Sequence, residues 1–74
     1  KDVYGRMRLL LESLAVEVNG HRYIEEALSQ QAIADRVGSS REMIAKLMRE
    51  LVFGNYLSIN NRKIELLQKL PEHF

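Results

Sequence analysis

The feature that most constrains the fold of this chain is a glycine between two short amphipathic segments, within the stretch SQQAIADRVGSSREMIAKLMREL at residues 29–51. Gly38 permits a positive φ, which a sharp turn between two helices requires. Ser29 can cap the first segment, and Leu28 and Ile33 have the spacing of a hydrophobic staple. The stretch therefore predicts two short helices joined by a tight turn.

The second helix is predicted to begin at Ser39–Glu42, where Ser-Ser-Arg-Glu has the spacing of a capping box. Ala34 is small at the point where two crossing helices would approach each other closely. Apolar residues on both sides of the turn would form the seam between the helices: Ile33, Val37, Ile44 and Leu47. This pattern predicts a helix-turn-helix, in which the second helix enters the DNA major groove.

A helical wheel at about 100° per residue divides the second helix into two faces. With Arg41 at zero, roughly the next 140° holds Ala45, Arg49, Glu42 and Lys46. An apolar arc from about 200° to 340° holds Met43, Leu47, Leu51, Ile44 and Met48. Arginine can donate twice to guanine, glutamate can accept from cytosine, and lysine can reach guanine or phosphate. The alternative is that these charges are only solvated and that Glu42 is only a cap.

Charge is distributed unevenly along the chain, although the net charge is only +1. Residues 1–35 carry four basic and six acidic side chains, which is a net charge of −2. Residues 36–63 carry six basic and two acidic side chains, a net charge of +4, and residues 64–74 have a net charge of −1. The basic excess coincides with the second helix and the segment after it, which favours an anionic partner there.

A chain of 74 residues is long enough for one small domain with one core. It has no cysteine, which excludes disulfides and cysteine-ligated metals and is compatible with a reducing compartment. No apolar run reaches membrane-spanning length. Because the sequence starts at Lys1 and enters a helical pattern almost at once, we interpret residues 1–74 as a single domain from a longer protein.

The first part of the chain predicts a helix and then a turn. Asp2 can cap a helix that runs to about Glu17, in which apolar residues recur at helical spacing: Val3, Met7, Leu10, Leu11, Leu14 and Val18. Leu9 and Val16 lie partly outside this stripe, so the helix either buries a second face or makes one broad core contact. Asn19-Gly20 is a strong turn signal and predicts a small hairpin.

Two alternating segments near the C-terminus predict a second hairpin, over about residues 56–67. A loop at Asn60-Asn61 would pair Leu57 with Ile64. A loop at Asn61-Arg62 would instead pair Ile59 with Ile64 and Leu57 with Leu66, and the pattern leaves both registers open. Either loop places Arg62 and Lys63 at the tip. A basic hairpin after a helix-turn-helix indicates a wing on the phosphate backbone, and the alternative is a hairpin that merely covers the core.

The chain resembles the C-terminal domain of the cyclic-AMP receptor protein/FNR family of bacterial transcription regulators. The residues that carry this resemblance are Leu28-Ser29-Gln30-Gln31-x-Ile33-Ala34, Val37-Gly38-x-Ser40-Arg41-Glu42 and Gly54–Ile59, with Asp2-Val3 and Gly5-Arg6 at the start. The resemblance implies a winged helix-turn-helix fold, mainly α with a small β-hairpin wing (α+β). Its recognition helix would span about residues 39–51 and its wing about residues 56–67.

The resemblance also implies roles for individual residues. Arg41 and Glu42 match the residues that contact G and C in a TGTGA-like half-site. Lys46 stands where known members carry arginine, and because lysine cannot form a planar bidentate fork, the third base contact would differ. Met43 replaces a phosphate-contacting threonine, so that contact would be lost. The predicted phosphate contacts are Gln31, Ser40, Arg49, Arg62 and Lys63.

The family further implies an effector-binding β-barrel and a long dimerisation helix before Lys1. A longer protein would bind a cyclic nucleotide or another effector and would dimerise on a near-palindromic site, with recognition helices about 34 Å apart. The 74-residue domain is expected to be monomeric and to hold no cofactor or metal. RNA polymerase is an implied further partner, through Val18–Tyr23. The expected location is the bacterial cytoplasm, at the nucleoid and not at a membrane.

Two other functions compete with sequence-specific DNA binding. A winged-helix module that binds a protein instead of DNA would fit the low net charge. An enzyme is not expected, because His21 and His73 have no evident relation and no metal-ligand spacing or glycine-rich phosphate loop is present. Ser39 and Ser40 can both be explained as helix caps, so neither serine requires a catalytic role.

Overall fold

The computed structural model describes residues 2–74, which form three helices and four strands. In chain order these are α1 (Val3–Leu14), β1 (Ala15–Val18), β2 (His21–Ile24), α2 (Gln30–Val37), α3 (Arg41–Phe53), β3 (Leu57–Asn60) and β4 (Lys63–Leu66). The strands form one antiparallel sheet in the order β1-β2-β4-β3. The predicted α+β winged helix-turn-helix is confirmed, and pairing of β2 with β4 joins both hairpins into a single sheet.

The predicted caps of α1 and α2 and the turn after α2 are confirmed. Asp2 caps α1 and accepts a hydrogen bond from the Gly5 amide at 3.2 Å. Ser29 caps α2 and accepts from the Ala32 amide at 3.0 Å. Gly38 ends α2 with φ of 74°, in the left-handed region that glycine adopts at little cost. These local contacts set the length of α2 and the direction in which the chain leaves it.

The predicted capping box of α3 is wrong, because Ser40 and not Ser39 is the N-cap. The Ser40 hydroxyl accepts a hydrogen bond from the Met43 amide at 3.1 Å, so α3 begins at Arg41 and extends to Phe53. The Ser39 amide donates to the Ala34 carbonyl at 3.0 Å. The Ser39 backbone thus belongs to the C-terminal end of α2, and α3 begins one residue later than the capping box predicts.

The predicted extension of α1 to Glu17 is also wrong. The helix ends at Leu14, and Ala15–Val18 form β1. In the hairpin, Val16 lies opposite Tyr23 and Val18 opposite His21, across the predicted turn at Asn19-Gly20. The helical spacing of the apolar residues continued past Leu14, but β-branched valines also favour a strand, and here pairing with β2 decides the outcome.

The core lies between the three helices and the inner face of the sheet. The buried apolar residues are Tyr4, Met7, Leu11, Ile24, Leu28, Ile33, Ala34, Val37, Ile44, Leu47, Met48, Leu51, Leu57, Ile64, Leu66 and Leu70. This set includes the whole predicted seam between α2 and α3. Met43 is the exception to the predicted apolar face of α3, since its side chain is 41% exposed at the start of the helix.

The wing adopts the second of the two predicted registers. Leu57 pairs with Leu66 and Ile59 with Ile64, around a loop at Asn61-Arg62. Asn61 and Arg62 have φ of 52° and 68°, as a two-residue hairpin turn of type I′ requires. This register sets apolar residues opposite each other across the strands, whereas the other register would place Ile59 opposite Arg62.

The C-terminal residues after β4 are held against α1 by hydrogen bonds and a ring contact. The Tyr4 hydroxyl donates to the Pro71 carbonyl at 2.6 Å, and the Leu70 amide donates to the Glu12 carboxylate at 3.3 Å. Leu70 is buried in the core. The ring of Phe74, half exposed, lies 5.4 Å from that of Tyr4 between centroids. Within residues 2–74, none of the helices combines the length and apolar character needed to cross a membrane.

Candidate nucleic-acid interface

The outer face of α3 carries the three residues predicted to contact bases. Arg41, Glu42 and Lys46 are exposed, and Ala45 between them is half-buried. The inner face of the helix is anchored in the core by Ile44, Leu47, Met48 and Leu51. The helix is thus held by its apolar side, and the polar side is open to a partner.

A cleft of about 310 Å³ brings Arg41 together with residues from α2 and the wing. Gln31 from the first turn of α2 and Arg62 from the tip of the wing line it with Arg41, and Met48 and Ile59 are among its apolar residues. Three elements that are distant in sequence therefore place one predicted base contact and two predicted phosphate contacts around one cavity. Their donors make this surface suitable for an anionic ligand.

Arg41, Arg49 and Arg62 are the exposed guanidinium groups of this surface. In the described part of the chain, none of the three has an ion-pair partner. Arg49 lies further along α3, beside an apolar groove of about 550 Å³ that Val52, Phe53 and others line. These three side chains can therefore reach an anion without first breaking a salt bridge.

Gln31 and Lys46 differ from these arginines because each contacts an acidic residue one helical turn along. The Gln31 side-chain amide donates to the Asp35 carboxylate at 2.9 Å. The Lys46 ammonium lies 3.3 Å from the Glu50 carboxylate. Both contacts are at the surface, where such pairs contribute little to stability and exchange readily with other partners.

Ser40 serves the helix and can still serve a ligand. Its hydroxyl oxygen accepts the hydrogen bond from the Met43 amide, which leaves the hydroxyl hydrogen able to donate. The residue is exposed, directly before Arg41. A phosphate at the start of α3 could therefore receive a hydrogen bond from Ser40 without loss of the cap.

Lys63 is the one predicted contact residue that the structure separates from the others. Its neighbour Ile64 is buried, so Lys63 points to the outer face of the sheet. There its ammonium lies 5.5 Å from the centre of the Tyr23 ring, in a cation–π geometry. Lys63 can reach an anion at the wing tip only if that anion extends past the edge of the sheet.

Arg36 contributes to the basic excess in the sequence but not to this surface. Its guanidinium is 2.6 Å from the Glu26 carboxylate. The hydrogen bond with Glu26 and the charge of that carboxylate raise the pKa of Arg36. The pair ties the loop before α2 to the end of that helix, so this positive charge is already compensated.

Two surface features have no counterpart in the sequence interpretation. Phe53, the last residue of α3, is 90% exposed. The imidazole Nδ1 of His21 is 2.8 Å from the Glu65 carboxylate on the outer face of the sheet. His21 and Glu65 are 44 positions apart and become neighbours only through β2–β4 pairing, so no local signal could have revealed the contact. Within residues 2–74, no group of three or more His, Asp or Glu side chains is arranged to hold a metal ion.

Known proteins share both the sequence pattern and the fold of this chain. A family model described as a Crp-like helix-turn-helix domain matches residues 6–70. The chain is similar to a structure of reduced CprK without ligand, at 23% identity and a TM-score of 0.70 over 89% of this chain. It is also similar to a CprK variant complexed with OCPA, at 24% identity and a TM-score of 0.70 over 88% of this chain.

The chain spans only a third of the CprK chains that it resembles, 33% in both structures. At identities below 25% these structures show a shared fold. A comparison with curated protein sequences gives no match.

Proposed function

The chain belongs to the Crp-like helix-turn-helix domain family, whose members are DNA-binding domains of transcription regulators, and from this premise we propose how it binds its target. The domain binds double-stranded DNA sequence-specifically, with the first turns of α3 in the major groove and the wing on the phosphate backbone. The observation that carries this proposal is the cleft shared by Gln31, Arg41 and Arg62, which no single element could form. Through this binding the domain would take part in regulating the transcription of bacterial genes in the cytoplasm.

Sequence choice is assigned to the exposed start of α3. Arg41 would donate two hydrogen bonds to a guanine, and Glu42 would accept one from a cytosine. Lys46 would contact a guanine or a phosphate as a point charge, since it cannot form the fork of an arginine. The half-buried Ala45 supports a close approach of this face to base edges. A TGTGA-like half-site contains the G and C that these residues require.

Affinity is assigned to contacts with the phosphate backbone. The proposed contact residues are Gln31, Ser40, Arg49, Arg62 and Lys63. Each cation that neutralises a phosphate releases counterions, so binding should weaken steeply as salt increases. No catalytic step is proposed, and the domain needs no cofactor or metal for this function.

A longer protein that contains this domain would supply its regulation. We propose that it binds an effector, such as a cyclic nucleotide, and dimerises outside residues 1–74. A dimer would present two α3 helices about 34 Å apart to a near-palindromic site. The exposed β1–β2 turn is the candidate contact with RNA polymerase. Without the dimerisation helix, the 74-residue chain would be monomeric.

A second candidate function is a winged-helix module that binds a protein and not DNA. The observation that favours it is the exposure of Phe53 beside an apolar groove on α3. Large exposed aromatic side chains are common at protein interfaces. Binding of a protein partner by this groove would be insensitive to salt and to charge reversal at Arg41 and Lys46.

An amide chemical-shift titration tests the proposed function directly. The domain would be titrated at low salt with a duplex that contains a TGTGA half-site and, as a control, with a scrambled duplex. We expect shifts concentrated in residues 39–49 and 60–63 that are larger for the half-site. Equal shifts with both duplexes would support binding to the phosphate backbone but contradict recognition of the TGTGA-like half-site. No shifts with either would overturn DNA binding and favour the protein-interaction module.

A further inference from the structure

Arg62 and Lys63 are neighbours in the chain but lie on opposite faces of the wing. Arg62, at the tip, lines the cleft between α3 and the wing with Arg41. The Lys63 ammonium lies on the outer face of the sheet, 5.5 Å from the centre of the Tyr23 ring. In the part of the chain that the structure describes, neither Arg62 nor Lys63 has an acidic partner. The wing therefore presents one unpaired positive charge on each of its faces.

The outer face of the wing tip forms a polar hollow of about 400 Å³. Its lining residues are Tyr23, Ser58, Asn60, Asn61, Lys63 and Glu65. Every one of these side chains except Glu65 can donate a hydrogen bond. The Glu65 carboxylate is already 2.8 Å from the His21 imidazole, and it lies further from the tip than Lys63. The donors nearest the tip thus suit an anionic group that approaches the outer face.

The proposed function places this tip where the two grooves of DNA meet, and the present inference rests on that proposal. With the first turns of α3 in the major groove, the phosphates that border this groove would lie in the cleft between α3 and the wing, beside Arg41 and Arg62. The wing then stands beyond this row of phosphates, over the neighbouring minor groove, with its outer face toward the second strand. The minor groove is about 6 Å wide, and one β-sheet layer takes about half of the roughly 10 Å between packed sheets. A single wing therefore fits between the two rows of phosphates with one cation directed at each.

We propose that the wing straddles the minor groove beside the half-site, with Arg62 on a phosphate of one strand and Lys63 on a phosphate of the other. The outer face of the wing is then a second site for the DNA backbone, separate from the cleft that Arg62 shares with Arg41. Because phosphates are the same in every sequence, this site adds affinity but no choice of bases. The DNA that the domain covers thus extends past the bases that α3 reads.

Two neighbours of Lys63 support a phosphate on the outer face. The cation–π contact with Tyr23 keeps the ammonium on that face, and because its N–H donors are not all directed at the ring, it can still donate to a phosphate. Asn60 lies directly opposite Lys63 in the β3–β4 pairing, so its side chain projects to the same face. The Asn60 amide can therefore donate to the same phosphate as Lys63.

The test replaces single phosphates, one at a time along both strands of a half-site duplex, with uncharged methylphosphonates. For the wild-type domain, replacement of a contacted phosphate should weaken binding about two- to fivefold, and such positions should occur on both strands of one minor groove. In Lys63→Gln the sensitive position on one strand should disappear, and in Arg62→Gln the sensitive position on the other strand. Both variants should reduce the salt dependence of binding by about one counterion. Asn60→Ala should weaken the sensitivity on the strand that Lys63 contacts and leave the salt dependence unchanged.

Lys69→Gln is the matched control, because it removes the same charge at an exposed position after β4, away from the wing tip. It should keep the sensitive positions on both strands. Thermal unfolding of each variant checks that the fold is intact. Loss of sensitivity on the same strand in Lys63→Gln and Arg62→Gln would overturn the inference, and so would an unchanged pattern in Lys63→Gln. Failure of the wild-type domain to bind the duplex would instead refute the proposed function.

Discussion

Arg6 of α1 donates a hydrogen bond from its Nε to the backbone carbonyl of Val37, the last residue of α2, at 2.8 Å. Carbonyl groups at the end of a helix lack partners within the helix, and a positive charge there also interacts favourably with the helix dipole. The contact lies directly before the turn at Gly38. A helix outside the helix-turn-helix therefore holds the turn on which the orientation of α3 depends.

Loss of this contact should destabilise the domain. Arg6→Met keeps much of the aliphatic length of the side chain but leaves the Val37 carbonyl without its donor, which we expect to lower the free energy of unfolding by about 1–2 kcal/mol. Urea unfolding measures this change. Arg6→Lys keeps a donor and the charge and should lose less. Equal stability of Arg6→Met and wild type would show that water replaces the guanidinium without cost.

Replacement of Arg41 should affect the choice of sequence more than stability. Arg41→Ala removes the proposed bidentate contact with guanine, so we expect a loss of about 1–3 kcal/mol in binding to the half-site and relaxed preference at one base position. The measurement compares the affinities of wild type and Arg41→Ala for duplexes in which each base position of the half-site is substituted in turn. Arg36→Gln is the control, since Arg36 already pairs with Glu26. If Arg41→Ala kept full selectivity, Arg41 would not be a base contact.

Arg62 should show opposite effects on stability and on binding. Its φ of 68° is unfavourable for a residue with a Cβ atom, and its guanidinium is a proposed phosphate contact. Arg62→Gly should raise the free energy of unfolding by about 0.5–1 kcal/mol, because glycine adopts this conformation readily. It should also weaken binding to all sequences alike and reduce the salt dependence by about one counterion.

Arg62→Lys separates these two effects, because it keeps the charge and the strained position. It should bind DNA nearly as the wild type does and be no more stable. Unfolding by urea and binding to half-site and scrambled duplexes would be measured together. A loss of binding by Arg62→Gly that depended on sequence would contradict the phosphate role.

Glu12 should make the stability of the domain depend on pH. Burial acts to raise the pKa of Glu12, but hydrogen bonds from Arg22 and the Leu70 amide, with the charges of Arg22 and Arg8, outweigh it and lower the pKa below its ordinary value of 4.5. A carboxyl whose pKa is lower in the folded state stabilises the fold above its unfolded pKa. This contribution is lost as the pH falls below about 4.5 and through the lowered pKa.

Glu12→Gln is therefore expected to lower the free energy of unfolding by about 1–2 kcal/mol at pH 7, and by less as the pH is lowered through this range. Urea unfolding at a series of pH values measures both effects. Glu25→Gln, at an exposed position, is the control and should leave the pH dependence unchanged. A constant difference between Glu12→Gln and wild type at every pH would contradict the assignment.

The helix-turn-helix was largely predictable because its signals are local. Ser29 reaches an amide three residues away, and Gly38 reverses the chain through its own backbone angles. The seam between α2 and α3 follows from helical spacing alone. The capping box failed because two neighbouring serines could both cap α3, and the end of α2 decided between them.

The sheet was less predictable because its strands are defined by distant partners. The same apolar spacing fits a continued α1 and the strand β1, and pairing of Val16 with Tyr23 selects the strand. Both wing registers satisfy the turn residues, and the one that forms pairs Leu57 with Leu66 and Ile59 with Ile64 across the strands. Lys63 appeared equivalent to Arg62 at the tip, but strand alternation turns it to the outer face.

The sequence by itself thus determined the starts of α1 and α2, the turns at Asn19-Gly20 and Gly38, and the residue types of the candidate interface, because caps, turns and helical faces act over a few residues. The tertiary structure alone decided that β2 pairs with β4, that Gln31, Arg41 and Arg62 share one cleft, and that Phe53 is left exposed. These relationships join residues that are far apart in the chain, and only the packing of the three helices on the sheet brings them into contact or leaves them in solvent.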